Sequence, residues 1–382
     1  MKWKCLSPRS SMAAIFICFI PILIMIMIFD LSGNTVPVEQ SPGKLFHRGA
    51  GARHVSHLIM NTSQSPVTLY QSKWSCSNKS EIKKRNLDCK SRLPDVIGIG
   101  AKKCGTTALK FFLSGHPALY ITAAPEAHQW DRQPTRSVEE YQQMMPITSQ
   151  YQLTMEKTPL YFVADDIPAA IARDVSPNVK LLLILRDPVI RAISDYTHVL
   201  NMFPDITRRH RNVTMIGGRV PKYPQDLPQA NISYIIEKKF EKSILNEDGT
   251  VNADNAIIFT GLYSRHLRNW LKIFPREQIL ILDGDLFSKN PLPQLQAIES
   301  FLGLPKYFNA DKIYFDEEKG FFCLAMPHKL CMGKEKGRKH PEVKRNILKK
   351  LYKFYEPYDK ELEILTGRKF SWMNLNNDEV TG

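Results

Sequence analysis

The chain has 382 residues, 43% of them hydrophobic and 24% charged, a balance that suits one large globular domain or two small ones and excludes a disordered polymer. Its net charge of +14 favours a polyanionic partner, whether nucleic acid, an anionic membrane or an acidic polysaccharide, over a cationic one. Scattered solubilising lysines account for that excess equally well, so charge alone does not choose among them. Met12 to Phe29 is an unbroken apolar segment preceded by Lys2, Lys4 and Arg9 and followed by Asp30. Its length is near the lower limit for crossing a bilayer. The cation bias puts residues 1–11 in the cytosol and everything after residue 29 in a lumen. A cleaved signal peptide is the competing reading. The segment is longer than a usual signal core and no small-x-small site follows it, which favours a signal anchor over residues 12–29 of a single-pass type II protein.

A lumenal location bears on the sequons and the cysteines. The sequons at Asn61, Asn78, Asn212 and Asn231 become candidate glycan sites, and nucleic acid is not an expected partner. In an oxidising compartment Cys323 and Cys331 would close a short loop, Cys76 and Cys89 are a second candidate pair, and Cys104 is left as a thiol. Residues 30–92 are rich in Ser, Pro, Asn, Lys and Gln without sustained periodicity, and read as a stem.

From residue 93 to 382 strands alternate with helices, which predicts one α/β domain with a central parallel sheet flanked by helices. The first strand, Val96–Gly100, runs into Ala-Lys-Lys-Cys-Gly-Thr-Thr and then a helical Ala108–Leu113. Strand, tight loop and helix start together make an anion cradle from bare N–H groups and the ammonium groups of Lys102 and Lys103. The loop resembles a P-loop, but no Lys-Ser/Thr pair follows Gly105, which points away from magnesium-dependent phosphoryl transfer. The wholly apolar Val179–Leu185 reads as a buried parallel strand, with Arg186 at its end and Ser194 on a following helix over Val189–Leu200. An arginine there can grip a phosphate, although Arg186–Asp187 reads equally as a structural ion pair. A helix over Thr260–Phe274 and a strand over Gln278–Asp283 come next. Lys336-Gly337-Arg338-Lys339-His340 forms a basic loop beside the candidate Cys323–Cys331 bridge. Ligands of parallel sheets lie at the C-terminal strand ends, where the Gly100–Thr107 loop falls.

The stretches Leu153–Phe162, Leu181–Pro188, Ser194–Tyr196, Asp283–Asp285, Lys319–Leu324 and Lys336–Pro341, in this order, resemble the Golgi sulfotransferases. Together they look like the heparan sulfate glucosamine 3-O-sulfotransferase family, over about residues 93–372. The resemblance implies transfer of a sulfuryl group from 3′-phosphoadenosine 5′-phosphosulfate (PAPS) to a glucosamine 3-hydroxyl of heparan sulfate, in the Golgi lumen and without a metal. It implies that Lys103, Cys104, Gly105, Thr106 and Thr107 receive the 5′-phosphosulfate, and Arg186 and Ser194 the 3′-phosphate. Phe322 and residues 336–340 would supply the other donor contacts. By the same match Glu126 is the general base. His128 and Asp131 support it, and Lys103 neutralises the departing phosphate. The acceptor would meet Pro125, Glu126, Ala127, His128, Gln129, Trp130 and Asp131, with Lys157, Thr158, Pro159 and Leu160 forming a wall. The chain departs from the family pattern at Cys104 and Thr107, where Gly and Arg are common, at Pro125, at Gln129–Trp130, and at Phe322 in place of Tyr. These departures leave open a sulfotransferase acting at another position, or a heparan-binding protein that lost catalysis.

Overall fold

Leu181 to Leu185 are buried without interruption because their strand has neighbours on both edges and layers on both faces. A computed structural model describes residues 75–132, 135–202, 213–214, 235–236, 239–326, 329–333 and 340–374. Its strands are β1 (Lys90–Ser91), β2 (Val96–Gly100), β3 (Leu119–Ile121), β4 (Ile147–Thr148), β5 (Leu153–Lys157), β6 (Lys180–Leu185), β7 (Val213–Thr214), β8 (Ile235–Ile236), β9 (Ile279–Asp283), β10 (Ile313–Asp316) and β11 (Phe321–Leu324). The central sheet has five strands in the order β3-β5-β2-β6-β9, and every pairing in it is parallel. All its C-terminal ends therefore open on one edge, where loops can collect functional groups.

The helix Thr106–Leu113 follows β2 and buries Thr106, Leu109, Phe112 and Leu113. The helix Pro188–Met202 follows β6, and Tyr263–Leu271 leads toward β9. The long helix Arg345–Thr366 buries Ile347, Leu351, Tyr355 and Leu362, one apolar stripe, and packs against Tyr263–Leu271. The expected strands and helices agree with these to within a few residues at their ends.

Two strands of the central sheet were not foreseen from residue pattern. Both β3 and β5 belong to the central sheet, and β5 reads Leu-Thr-Met-Glu-Lys, a mixture that no buried-strand template picks out. The end of the expected stem also carries structure. Cys76 and Cys89 are bridged, and Asn78 caps the helix Lys79–Arg85 through Oδ1, leaving its Nδ2 out of the cap. β1 then pairs antiparallel with β4. A seven-residue helix needs only a cap and a crosslink, so composition hides it. The apolar segment 12–29 and the sequons at Asn61, Asn212 and Asn231 lie outside the described residues; among those described, no helix is long and apolar enough to cross a membrane.

Candidate active site

β2 ends at Gly100, and the chain turns through Lys103 at φ 70° and Gly105 at φ 100° before the helix Thr106–Leu113 begins. Gly105 accepts this left-handed conformation at no steric cost and exposes the first amides of the helix. Gly105 and Thr107 are exposed, as an anion site requires. The two lysines of the loop differ. Lys102 turns back to an ion pair with Asp195 at 2.9 Å, and Asp195 also holds Arg191 at 2.9 Å. Lys102 is thus committed to the scaffold rather than to the cradle. Cys104 is buried, with its thiol 3.3 Å from the Tyr263 hydroxyl, which donates to Arg186 O at 2.9 Å. Burial raises the Cys104 thiol. Its amide is used within the loop, donating to Ala101 O at 3.1 Å. Cys104 therefore shapes the loop from beneath.

Arg186 stands at the end of β6, as expected. Its Nη2 donates to Asp285 Oδ1 at 3.2 Å, while Asp285 Oδ2 accepts from Asp187 N–H at 2.8 Å. Its Nε is buried with no hydrogen-bond partner, while the side chain as a whole stays 26% exposed and open to an anion. His340, the described end of the basic loop, lies within the fields of Arg186 and Lys103: burial first, then those two cations, lower its pKa. Distant stretches of sequence therefore converge on one place. Residues 336–339 lie outside the described residues. Ser194 is partly exposed on the helix after Arg186. The Cys323–Cys331 bridge forms, and Phe322 sits edge-to-face on Phe315 with ring centroids 5.2 Å apart. β11 packs on the helix Gly284–Lys289, whose first residue lies against the donor loop: a Cβ at Gly284 would stand 2.6 Å from Cys104 O.

The residues expected to face the acceptor lie at the ends of β5 and β3. Glu126 Oε1 is 2.8 Å from Lys157 Nζ, and Oε2 is 3.0 Å from His128 Nε2. His128 Nδ1 is 2.7 Å from Asp131 Oδ2. Burial opposes ionisation of Glu126, but the His128 hydrogen bond and the Lys157 ammonium hold its carboxyl down at about 2. Burial likewise disfavours the imidazolium, yet Asp131 and Glu126 raise the His128 pKa overall. The charged ring donates to both carboxylates. Arg132 Nη2, 2.7 Å from the same Nε2, can donate only to the neutral ring, so protonation decides between these partners. Lys157 reaches Glu126 because Gly98 lies beneath its stem: a Cβ there would be 2.9 Å from Lys157 Cγ.

The rest of the segment faces inward. Ala127, Gln129 and Trp130 are buried; the Trp130 indole donates to Asp174 Oδ2 at 2.9 Å and packs on Tyr141 and Tyr161. Thr158, Pro159 and Leu160 are buried as well. These side chains, expected at the acceptor surface, instead form its backing, because the segment's core anchors alternate with its reactive groups. Pro125 is exposed and Glu126 partly so.

Sequence reasoning missed Lys110. Its Nζ donates to Thr122 O at 2.9 Å and Ala124 O at 2.6 Å, tying the donor helix to the chain just before Glu126. Burial, then repulsion from Lys157, lowers its pKa to about 8 against the attraction of Glu156 and Glu126. A lysine between Leu109 and Phe111 on a core-facing helix was the available signal.

Residues 93–367 match the sulfotransferase domain family. The chain is 36% identical to heparan sulfate glucosamine 3-O-sulfotransferase 5 of Homo sapiens over 300 residues, 77% of this chain and 78% of that protein. It is 33% identical to heparan sulfate glucosamine 3-O-sulfotransferase 6 of Mus musculus over 285 residues, 74% of each. Its fold is similar to that of a sulfotransferase from Alicyclobacillus acidocaldarius, with a TM-score of 0.52 at 20% identity over 74% of this chain and 99% of that one.

Proposed function

We propose, because the chain belongs to the heparan sulfate glucosamine 3-O-sulfotransferase family, that it transfers a sulfuryl group from PAPS to the 3-hydroxyl of glucosamine residues in heparan sulfate. The observation that carries the reading is a partly exposed carboxylate, Glu126, held between Lys157 and His128 and tied through Lys110 to the helix of the anion loop. PAPS supplies the activated sulfuryl group. The residues suited to hold it are Lys103, Gly105, Thr106, Thr107, the partly exposed Arg186, Ser194 and His340, joined by Phe322 and the basic residues 336–339.

Glu126 takes the proton of the acceptor hydroxyl as its oxygen attacks sulfur. A carboxylate held at about 2 is a weak base, so its partners must loosen first. A sulfate or carboxylate of the polysaccharide that draws Lys157 away would raise the basicity of Glu126 where the acceptor binds. Lys103 and the helix amides stabilise charge on the departing phosphate. The departures at Gln129 and Trp130 fall on buried side chains, which weighs against a different acceptor position.

The topology read from sequence belongs to the same proposal: a cytosolic tail over residues 1–11, an anchor over 12–29, a stem, and a catalytic domain from about residue 93 in the Golgi lumen. The Cys76–Cys89 and Cys323–Cys331 bridges support an oxidising compartment. The test uses PAPS and defined heparan oligosaccharides, with the sulfated position mapped on the product. Glu126→Gln should lower kcat by about 10²-fold or more while donor binding persists. Substantial activity in that variant, or product sulfated elsewhere, would refute the assignment.

A further inference from the structure

One buried carboxyl lies behind the base segment and takes no part in the chemistry above. Glu156 sits in β5 with no solvent exposure. Its Oε2 accepts from Thr158 Oγ1 at 2.9 Å and its Oε1 from the Tyr141 hydroxyl at 3.2 Å. The hydroxyls of Thr158 and Tyr161 also accept from the base segment. Thr158 Oγ1 takes Ala127 N–H at 3.0 Å and His128 N–H at 3.2 Å, and Tyr161 takes Gln129 N–H at 2.8 Å. A hydroxyl has one proton. Once that proton is given to the carboxylate, only lone pairs remain to face the amides. One carboxyl thereby orients, through Thr158, the successive N–H groups of Ala127 and His128.

The consequence reaches the reacting groups. His128 lies at φ 51°, a left-handed conformation that costs a non-glycine residue energy and persists only where its surroundings hold it. The amide bonds to Thr158 supply that hold, and this backbone conformation carries the ring that lies between Glu126 and Asp131. Burying a carboxyl costs several kcal/mol unless it is compensated. An apolar residue could occupy the space in β5 but would leave the Thr158 hydroxyl free to turn.

We infer that Glu156 is a positioning residue for proton transfer, acting through the hydroxyl of Thr158 on the backbone that carries Glu126, His128 and Asp131. The inference rests on Glu126 as the base. It is tested with full-length protein, PAPS and a heparan oligosaccharide, measuring kcat, both KM values, thermal unfolding and the position sulfated. Glu156→Gln and Thr158→Ala should each lower kcat about tenfold or more with donor KM unchanged, because a misplaced base slows chemistry without loosening the donor. Thr158→Ser should restore most of kcat, and the double variant Glu156→Gln/Thr158→Ala should be no slower than the slower single variant. A purely structural role would lower the unfolding temperature and leave kcat per folded molecule intact. Glu156→Gln with kcat within about twofold of wild type, or Thr158→Ser as slow as Thr158→Ala, would overturn the inference. If Glu156→Gln does not fold, the Thr158 pair decides. Wild-type product sulfated away from the 3-position would defeat the proposed function, while the kcat comparisons still judge Glu156.

Discussion

Arg186 and His128 illustrate how neighbours set the task of a side chain. Asp285 orients the Arg186 guanidinium while its side chain stays partly exposed, so the group is aimed and still reachable. Arg186→Ala removes a charge-assisted contact of about 1.5–3 kcal/mol. Donor affinity should fall roughly tenfold or more, as calorimetry with adenosine 3′,5′-bisphosphate would measure. The folded pKa of His128 is raised, so the stability contributed by its charged form is fully present below about 6.5 and is lost as pH rises through the raised value. The unfolding temperature should decline across that window above 6.5, and His128→Asn should abolish that part of the decline. The same deprotonation removes one of the two groups that hold Glu126 at about 2, so kcat should rise with pH over the same window, as a pH profile would record.

The strands bring these groups together, and two glycines let them approach. β5 lies beside β2, so Lys157 and Glu156, neighbours in sequence, point to opposite faces: one toward the acceptor, the other toward the segment's anchors. Gly98→Ala would set a methyl 2.9 Å from Lys157 Cγ and 3.2 Å from its Cβ, the backbone-held base of a buried side chain rather than its free end. That variant should lose about 1–3 kcal/mol of stability and raise acceptor KM, as denaturant unfolding and steady-state kinetics would show. Gly284→Ala meets backbone oxygens instead, Cys104 O at 2.6 Å and Leu185 O at 2.9 Å. It should destabilise the protein by about 1–3 kcal/mol and weaken donor binding with it, measured by denaturant unfolding and calorimetry. β5 stayed illegible in the sequence because its polar residues are satisfied by partners far away, Glu156 by Tyr141 and Lys157 by Glu126. Propensity and periodicity see only near neighbours.

Over the molecule as a whole, the net charge of +14 suits a long acidic polysaccharide. The field of exposed cations is screened over about 8 Å at physiological salt and about 30 Å at 0.01 M. Acceptor KM should therefore rise with ionic strength more steeply than donor KM, and parallel titrations of the two substrates would test this. The amino-acid order was enough to announce a parallel α/β domain, the tight glycine turn after β2 and the arginine after β6, because buried parallel strands and tight glycine turns leave local signatures. Glu126 looked like a surface carboxylate on pattern alone, and only family resemblance singled it out. Folding settled which lysine of the loop is spent on Asp195, which acceptor-segment side chains turn inward, and that Lys110 and Glu156 brace the segment from two sides. Those outcomes depend on contacts between residues far apart in the chain, and a local reading of sequence carries no information about such distances.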